Sequence, residues 1–164
     1  MGLTHIRYNH YNYISFVHLI CPRCFKRAKA ILITQTNDLY TPLIFSEFQY
    51  LELKNWKIAC ESCPFVKNIP FPKEFDKRAP GALPYSAPYS TLGSFFYKVE
   101  YLDFWAYNSD HLEAIIKYLE NCLEQNNPYA FVISSYLRGD WKRNKKKLLT
   151  LIRKKFITNS KTFF

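Results

Sequence analysis

The sequence predicts an α+β protein, with a β-rich N-terminal part built around two cysteine pairs and a helical C-terminal part. Three observations carry this. Cys21-Pro22-Arg23-Cys24 and Cys60-Glu61-Ser62-Cys63 lie among stretches rich in β-branched, aromatic and aliphatic residues. A proline-rich run follows, with Pro64, Pro70, Pro72, Pro80, Pro84 and Pro88 before Leu92. Beyond it, apolar residues recur at helical spacing.

Taken in order, Tyr13 to Ile20, Ala28 to Thr34 and Gln49 to Ala59 read as strands flanking the cysteine pairs. Ser46 to Leu53 is ambiguous, because Phe45, Phe48 and Leu51 also fit a short helical turn. The proline-rich run is neither a helix nor a central strand, since proline lacks the N–H both need. It reads as an irregular or extended connection. Phe95 to Phe104 reads as one strand, and a helix opens at Asn108-Ser109-Asp110, where Asp110 and Glu113 fit a capping box. Leu112, Ile115, Ile116, Leu119, Cys122 and Leu123 then share a face, and Asn126-Asn127-Pro128 ends the helix. Tyr129 to Leu137 reads as a short second helix, with Gly139-Asp140 as a stop and a fresh N-cap. In the last helix Trp141, Leu148, Leu151, Ile152 and Phe156 line one face. The expected organisation is a ribbon portion with its connection over residues 1–92 and a strand-plus-helix portion over 93–164, packed as one unit.

The cysteines point to a metal. Two knuckles, each placing two sulfurs on one side of an ion, complete a closed tetrahedral site for structural Zn²⁺, with Cys21, Cys24, Cys60 and Cys63 as ligands. Two other readings use the same residues: a redox-active Cys-x-x-Cys and a four-thiolate iron site. A redox motif would be single and would open a helix after a strand, whereas iron does not account for Arg23, Lys26, Arg27 and Lys57 around the knuckles. Many ribbon knuckles have glycine just after the second cysteine, where the chain turns with positive φ; here Phe25 and Pro64 stand there. The 35 residues between knuckles imply an insertion near Asn37 to Pro42. Cys122 is expected to be a small buried hydrophobe.

Composition bounds the rest. The 164 residues are 48% apolar, which excludes a disordered chain, and with thirteen Tyr, fourteen Phe and three Trp the aromatics should dominate core and contact surfaces. The apolar run Tyr13 to Ile20 is too short to span a bilayer and has no signal-peptide layout. A cytoplasmic location is therefore expected, where thiols stay reduced and paired motifs bind metal.

Charge is the main functional clue. Residues 1–137 carry thirteen basic and twelve acidic side chains, whereas residues 138–164 carry ten basic and one acidic, a net of +9. Lys142, Arg143, Lys146, Lys147, Arg153 and Lys154 fall largely opposite the apolar face of the last helix, and together with Lys145 they can neutralise phosphates. A solvated, solubilising face and a membrane-surface face are the competing readings. Catalytic patterns are thin: His5, His10, His18 and His111 form no recognisable pair with carboxylates, and no phosphate-cradling glycine loop occurs. Trp105, Tyr107, Asn108 and His111 cluster at the strand-to-helix junction, either as packing and capping residues or as a small polar recognition pocket.

The segment Phe104-Trp105-Ala106-Tyr107-Asn108-Ser109-Asp110-His111-Leu112 resembles a Leu-Trp-Ala-Tyr-Asn-x-x-His-Leu signature of small bacterial proteins that carry a TFIIB-type zinc ribbon. Two knuckles ahead of the signature, Pro88-Tyr89, and the pattern Ser135, Leu137, Trp141, Lys145 leading into a basic helix agree with that family. The likeness spans most of residues 19–156. It departs at Tyr97 to Tyr101, where the family often has Cys-Cys-Gly, and in the missing knuckle glycines. The resemblance implies the ribbon and assigns no activity. The sequence thus leads to a non-catalytic zinc-ribbon protein that binds DNA or RNA through its basic C-terminal helix. The alternative is a protein-interaction subunit of a larger complex, with the ribbon as docking module.

Overall fold

A computed structural model describes residues 13–14, 16–34, 44–45, 53–70, 94–127, 129–130 and 139–157. The chain divides into two compact units, residues 8–96 and residues 97–164 with 1–7. The fold is α+β, with strands in the N-terminal half and helices in the C-terminal half.

In the first unit, β1 (Tyr13–Ile14) pairs with β4 (Ile44–Phe45). The main sheet is antiparallel, with β2 (Phe16–Ile20), β3 (Arg27–Thr34), β5 (Leu53–Cys60) and β6 (Val66–Pro70) in that order. Val17 lies opposite Ala30, Ala30 opposite Ile58, and Leu19 opposite Ala28. Facing residues in an antiparallel ladder share a face, so alternate positions collect Val17, Leu19, Ala28, Ala30, Trp56 and Ile58 into one buried layer. The opposite face carries the exposed Lys29, Lys57 and Asn68. Ser94 to Phe96 run along the outer side of β2, with Ile20 N–H donating to the Ser94 carbonyl at 3.2 Å and Phe96 N–H to that of His18 at 3.0 Å.

The run Tyr13 to Ile20 is thus two strands in different sheets. Val66–Pro70, read from the sequence as the start of the connection, is a strand. It pairs with β5, and Pro70 stands at its end, where a missing N–H is tolerated. The rest of the proline-rich run, the insertion near Asn37 to Pro42, the ambiguous turn after Phe45 and most of Tyr129 to Leu137 lie outside the described residues, as do Pro88, Tyr89, Ser135 and Leu137.

In the second unit, β7 (Tyr97–Val99) and β8 (Phe104–Ala106) form a hairpin where one strand was expected. The chain reverses through a 3₁₀ turn at Tyr101–Asp103, with Leu102 and Asp103 at φ of 60° and 49°, a left-handed pair that no glycine announces. Helix α1 (Ser109–Leu119) follows. Its N-cap is Asn108, whose Oδ1 accepts the His111 N–H at 2.8 Å, so the expected Asp110–Glu113 capping box gives way to a cap two residues earlier. The helix also stops before Asn126. Asn121 adopts φ 60°, its N–H bonds the Tyr118 carbonyl, and the Cys122 N–H bonds that of Lys117, a Schellman closure. Cys122 therefore leaves the helix and is exposed, which corrects its expected burial.

Two further helices, α2 (Gly139–Arg143) and α3 (Lys145–Ile152), run into a π turn at Arg153–Ile157. Gly139 and Asp140 belong to α2 rather than preceding it. Trp141, Leu148, Leu149 and Ile152 are buried, with Leu151 and Phe156 half-buried. Trp141 packs on Phe104 at a ring distance of 4.9 Å, and its Nε1–H donates to the Leu102 carbonyl at 2.9 Å. That bond ties the helical layer to the β7–β8 reversal.

Candidate metal centre

Strand order brings the four thiols together. The first knuckle turns β2 into β3 and the second turns β5 into β6. Because β3 and β5 pair antiparallel, with Ala28 opposite Cys60, both turns lie at the same end of the sheet. Cysteines 36 or more residues apart thus meet: Cys24 Sγ is 3.4 Å from Cys60 Sγ, and Cys21 Sγ is 3.7 Å from Cys63 Sγ. All four sulfurs lie within 4.8 Å of one another and can hold a metal ion. A tetrahedron with Zn–S bonds of about 2.3 Å has edges of about 3.8 Å, so the cluster is the size of an MS₄ site. The sulfurs are too far apart for disulfides, whose S–S bond is about 2.05 Å.

The two knuckles repeat one another. The first-cysteine N–H donates to the carbonyl five residues on in each, Cys21 to Lys26 at 2.8 Å and Cys60 to Phe65 at 3.0 Å. The amide two residues after that cysteine points at its sulfur, Arg23 N to Cys21 Sγ at 3.4 Å and Ser62 N to Cys60 Sγ at 3.3 Å. The Lys26 and Phe65 amides serve Cys24 and Cys63 in the same way. Such N–H dipoles stabilise thiolate charge. At Cys60, burial opposes ionisation, but the Ser62 amide and the neighbouring thiols prevail and the pKa falls to about 7. At Cys63 the Phe65 amide favours the thiolate, yet burial and the other three thiols outweigh it and push the pKa up to about 12. Four thiols this close resist joint ionisation, and a cation among them removes that resistance.

The knuckles differ at the position after the second cysteine. Phe25 adopts φ 61° with its side chain 77% exposed, holding the left-handed turn that glycine would take without strain. Pro64, its counterpart, is confined to negative φ, so the second turn closes differently. Arg27 Nε–H donates to Glu61 Oε2, an ion pair that links the knuckles. Buried His18 stays neutral, because burial and then Arg27 and Lys29 lower its pKa to about 3.

The junction residues form a closed cluster in the second unit. The His111 ring stacks between Tyr107 and Tyr129, at 5.2 and 5.4 Å, while Trp105 meets Tyr107 edge-on. The Tyr107 N–H donates to His111 Nδ1 at 3.1 Å, and the Asn108 side-chain amide donates to the Tyr129 hydroxyl at 3.0 Å. Tyr107, Asn108, His111 and Tyr129 are all buried. Burial lowers the His111 pKa to about 3, and burial first, opposed by Asn108, raises that of Tyr129 to about 12. Tyr129 was missed by sequence reasoning, since nothing local marks a contact 21 residues from Asn108.

The basic residues are spread around α2, α3 and the π turn. Lys142, Arg143, Lys146, Lys147, Arg153 and Lys154 are exposed and Lys145 is half-buried. Arg153 pairs with Glu120, while Lys142 Nζ sits 5.1 Å from the Tyr118 ring and Lys147 Nζ 4.4 Å from that of Tyr101. Among the described residues no helix is long and apolar enough to cross a membrane. In comparisons with known proteins, no family model, curated protein or solved structure matches the chain.

Proposed function

We propose that this is a non-catalytic zinc-ribbon protein, similar to the bacterial TFIIB-type ribbon proteins, that binds nucleic acid through the basic face of its C-terminal helices. The carrying observation is the segregation of α2 and α3 into a buried apolar side and an outer side of exposed Lys and Arg in a region of net charge +9. Such a face neutralises phosphates and releases their counterions, giving affinity without strong sequence preference. Four sulfurs at tetrahedral spacing close the coordination shell and leave no position for a substrate, as in structural zinc sites.

The test is binding of metal-quantified protein to short single-stranded and duplex DNA and RNA across a salt series. Affinity should fall steeply with salt. Lys146→Glu with Lys147→Glu should weaken binding, and loss of two phosphate contacts makes the log–log slope shallower by about 1.4 for single strands or about 1.8 for duplex. Weak binding to every nucleic acid at low salt overturns this reading.

Phe25 favours a second reading, the ribbon as a docking module for a protein partner. A strained, 77% exposed aromatic beside exposed Arg23 and Lys26 has the character of an interface anchor. Binding to a partner through Phe25 would survive the Lys146 and Lys147 reversals and fail in Phe25→Ala.

A further inference from the structure

We infer that the basic face takes single-stranded rather than duplex nucleic acid, with Tyr118 as the residue that stacks on an unpaired base. This rests on the nucleic-acid reading above and narrows its substrate. A cleft of about 220 Å³ opens between the end of α1 and the start of α2 and α3, lined by Tyr118, Leu119, Asn121, Lys142 and Lys145. It combines one half-buried aromatic ring, an apolar floor at Leu119 and two ammonium groups. The cleft is open to solvent on one side, so a single planar base can enter it with its phosphate at the rim, whereas bases stacked inside a duplex cannot.

The surrounding surface fits the same occupant. One flank of the basic helices meets α1 through the Lys142–Tyr118 and Arg153–Glu120 contacts. On the other flank Lys147 lies over the half-buried Tyr101 ring. The lysines are thus bracketed by two rings. Rings interleaved with cations are how proteins hold unpaired strands, because every base offers a π face and the phosphates track the charge. Duplex DNA and RNA keep their bases stacked inside and offer these rings nothing.

The experiment measures anisotropy of labelled oligo-dT and oligo-U of about 12 nucleotides, the matching duplexes, and an abasic strand of equal length. Wild type should prefer the single strands and bind the abasic strand at least fivefold more weakly. Tyr118→Ala should lose at least fivefold on oligo-dT or oligo-U with an unchanged salt slope and no change on the abasic strand, whereas Tyr118→Phe should keep wild-type affinity. Lys142→Gln should lower the slope by about one contact. Preference for duplex, equal affinity for abasic and normal strands, or an unaffected Tyr118→Ala overturns the inference while leaving the nucleic-acid reading standing. Absence of salt-dependent binding to any probe overturns both. The abasic comparison uses wild-type protein, so it can overturn the inference even if Tyr118→Ala does not fold.

Discussion

Acidification should weaken the C-terminal unit through His111, by an amount its surroundings set. The ring is fully buried between Tyr107 and Tyr129, its Nδ1 accepts the Tyr107 N–H, and burial holds the pKa at about 3 against 6.5 in the unfolded chain. Between these values the unfolded chain takes up a proton that the folded unit refuses. Stability from the neutral ring is thus complete above about pH 6.5 and is lost as pH falls toward 3. Each pH unit in that window is about 1.4 kcal/mol, so the drop from pH 6.5 to pH 5 costs about 2 kcal/mol, a large share of a typical domain's stability. Native-state hydrogen exchange of the α1 amides isolates the effect from His18, which titrates in the other unit. His111→Asn keeps an acceptor near the place of Nδ1 but removes the stacked ring and the ionisable group. It should lower α1 protection at pH 7 by about 2–4 kcal/mol and leave it flat between pH 6.5 and pH 5. Wild-type protection that is equally flat, with ring NMR signals of His111 titrating near pH 6.5, would refute the reasoning.

Three further outcomes follow from the metal centre and its surroundings. Cys60→Ser should lose bound metal and unfold the β2–β3–β5–β6 sheet. Structural zinc contributes about 10–16 kcal/mol of apparent binding free energy, comparable to the whole stability of a domain, so a variant with full metal content and an unchanged melt would contradict the four-ligand assignment. Maleimide labelling of the metal-loaded protein should modify one cysteine quickly, the exposed Cys122, and all five after chelation; mass spectrometry showing rapid labelling of Cys21 or Cys63 before chelation would count against a closed site. Phe25→Gly relieves a left-handed strain of about 1–2 kcal/mol while adding about 0.5–1 kcal/mol of chain entropy to lose, so urea melts should show equal or slightly higher stability. A clear loss would mean that the Phe25 side chain packs despite its exposure.

The sequence by itself determined the features written in short-range spacing. Runs of β-branched, aromatic and aliphatic residues mark β3 and β5, Cys-x-x-Cys marks each half of the candidate metal centre, and the i, i+3, i+7 pattern of Leu112, Ile115 and Leu119 marks α1. Charge segregation along the last helices is legible for the same reason, since a residue's neighbours on a helix lie within a few positions. Where a local turn overrides the pattern, the sequence misleads. Apolar and aromatic residues run from Phe95 to Phe104 although Leu102 and Asp103 reverse the chain, and apolar spacing continues through Cys122 although Asn121 has already ended the helix. Asn121 and Asp103 accept positive φ more readily than most residues but do not demand it, and at Leu102 only the surrounding structure selects it. The tertiary structure also decided the contacts across long separations: Asn108 with Tyr129, Tyr118 with Lys142, and the meeting of the two knuckles at one end of the sheet. Sequence carries the ligands as two independent halves, and it is the antiparallel pairing of β3 with β5 that places four sulfurs around one point.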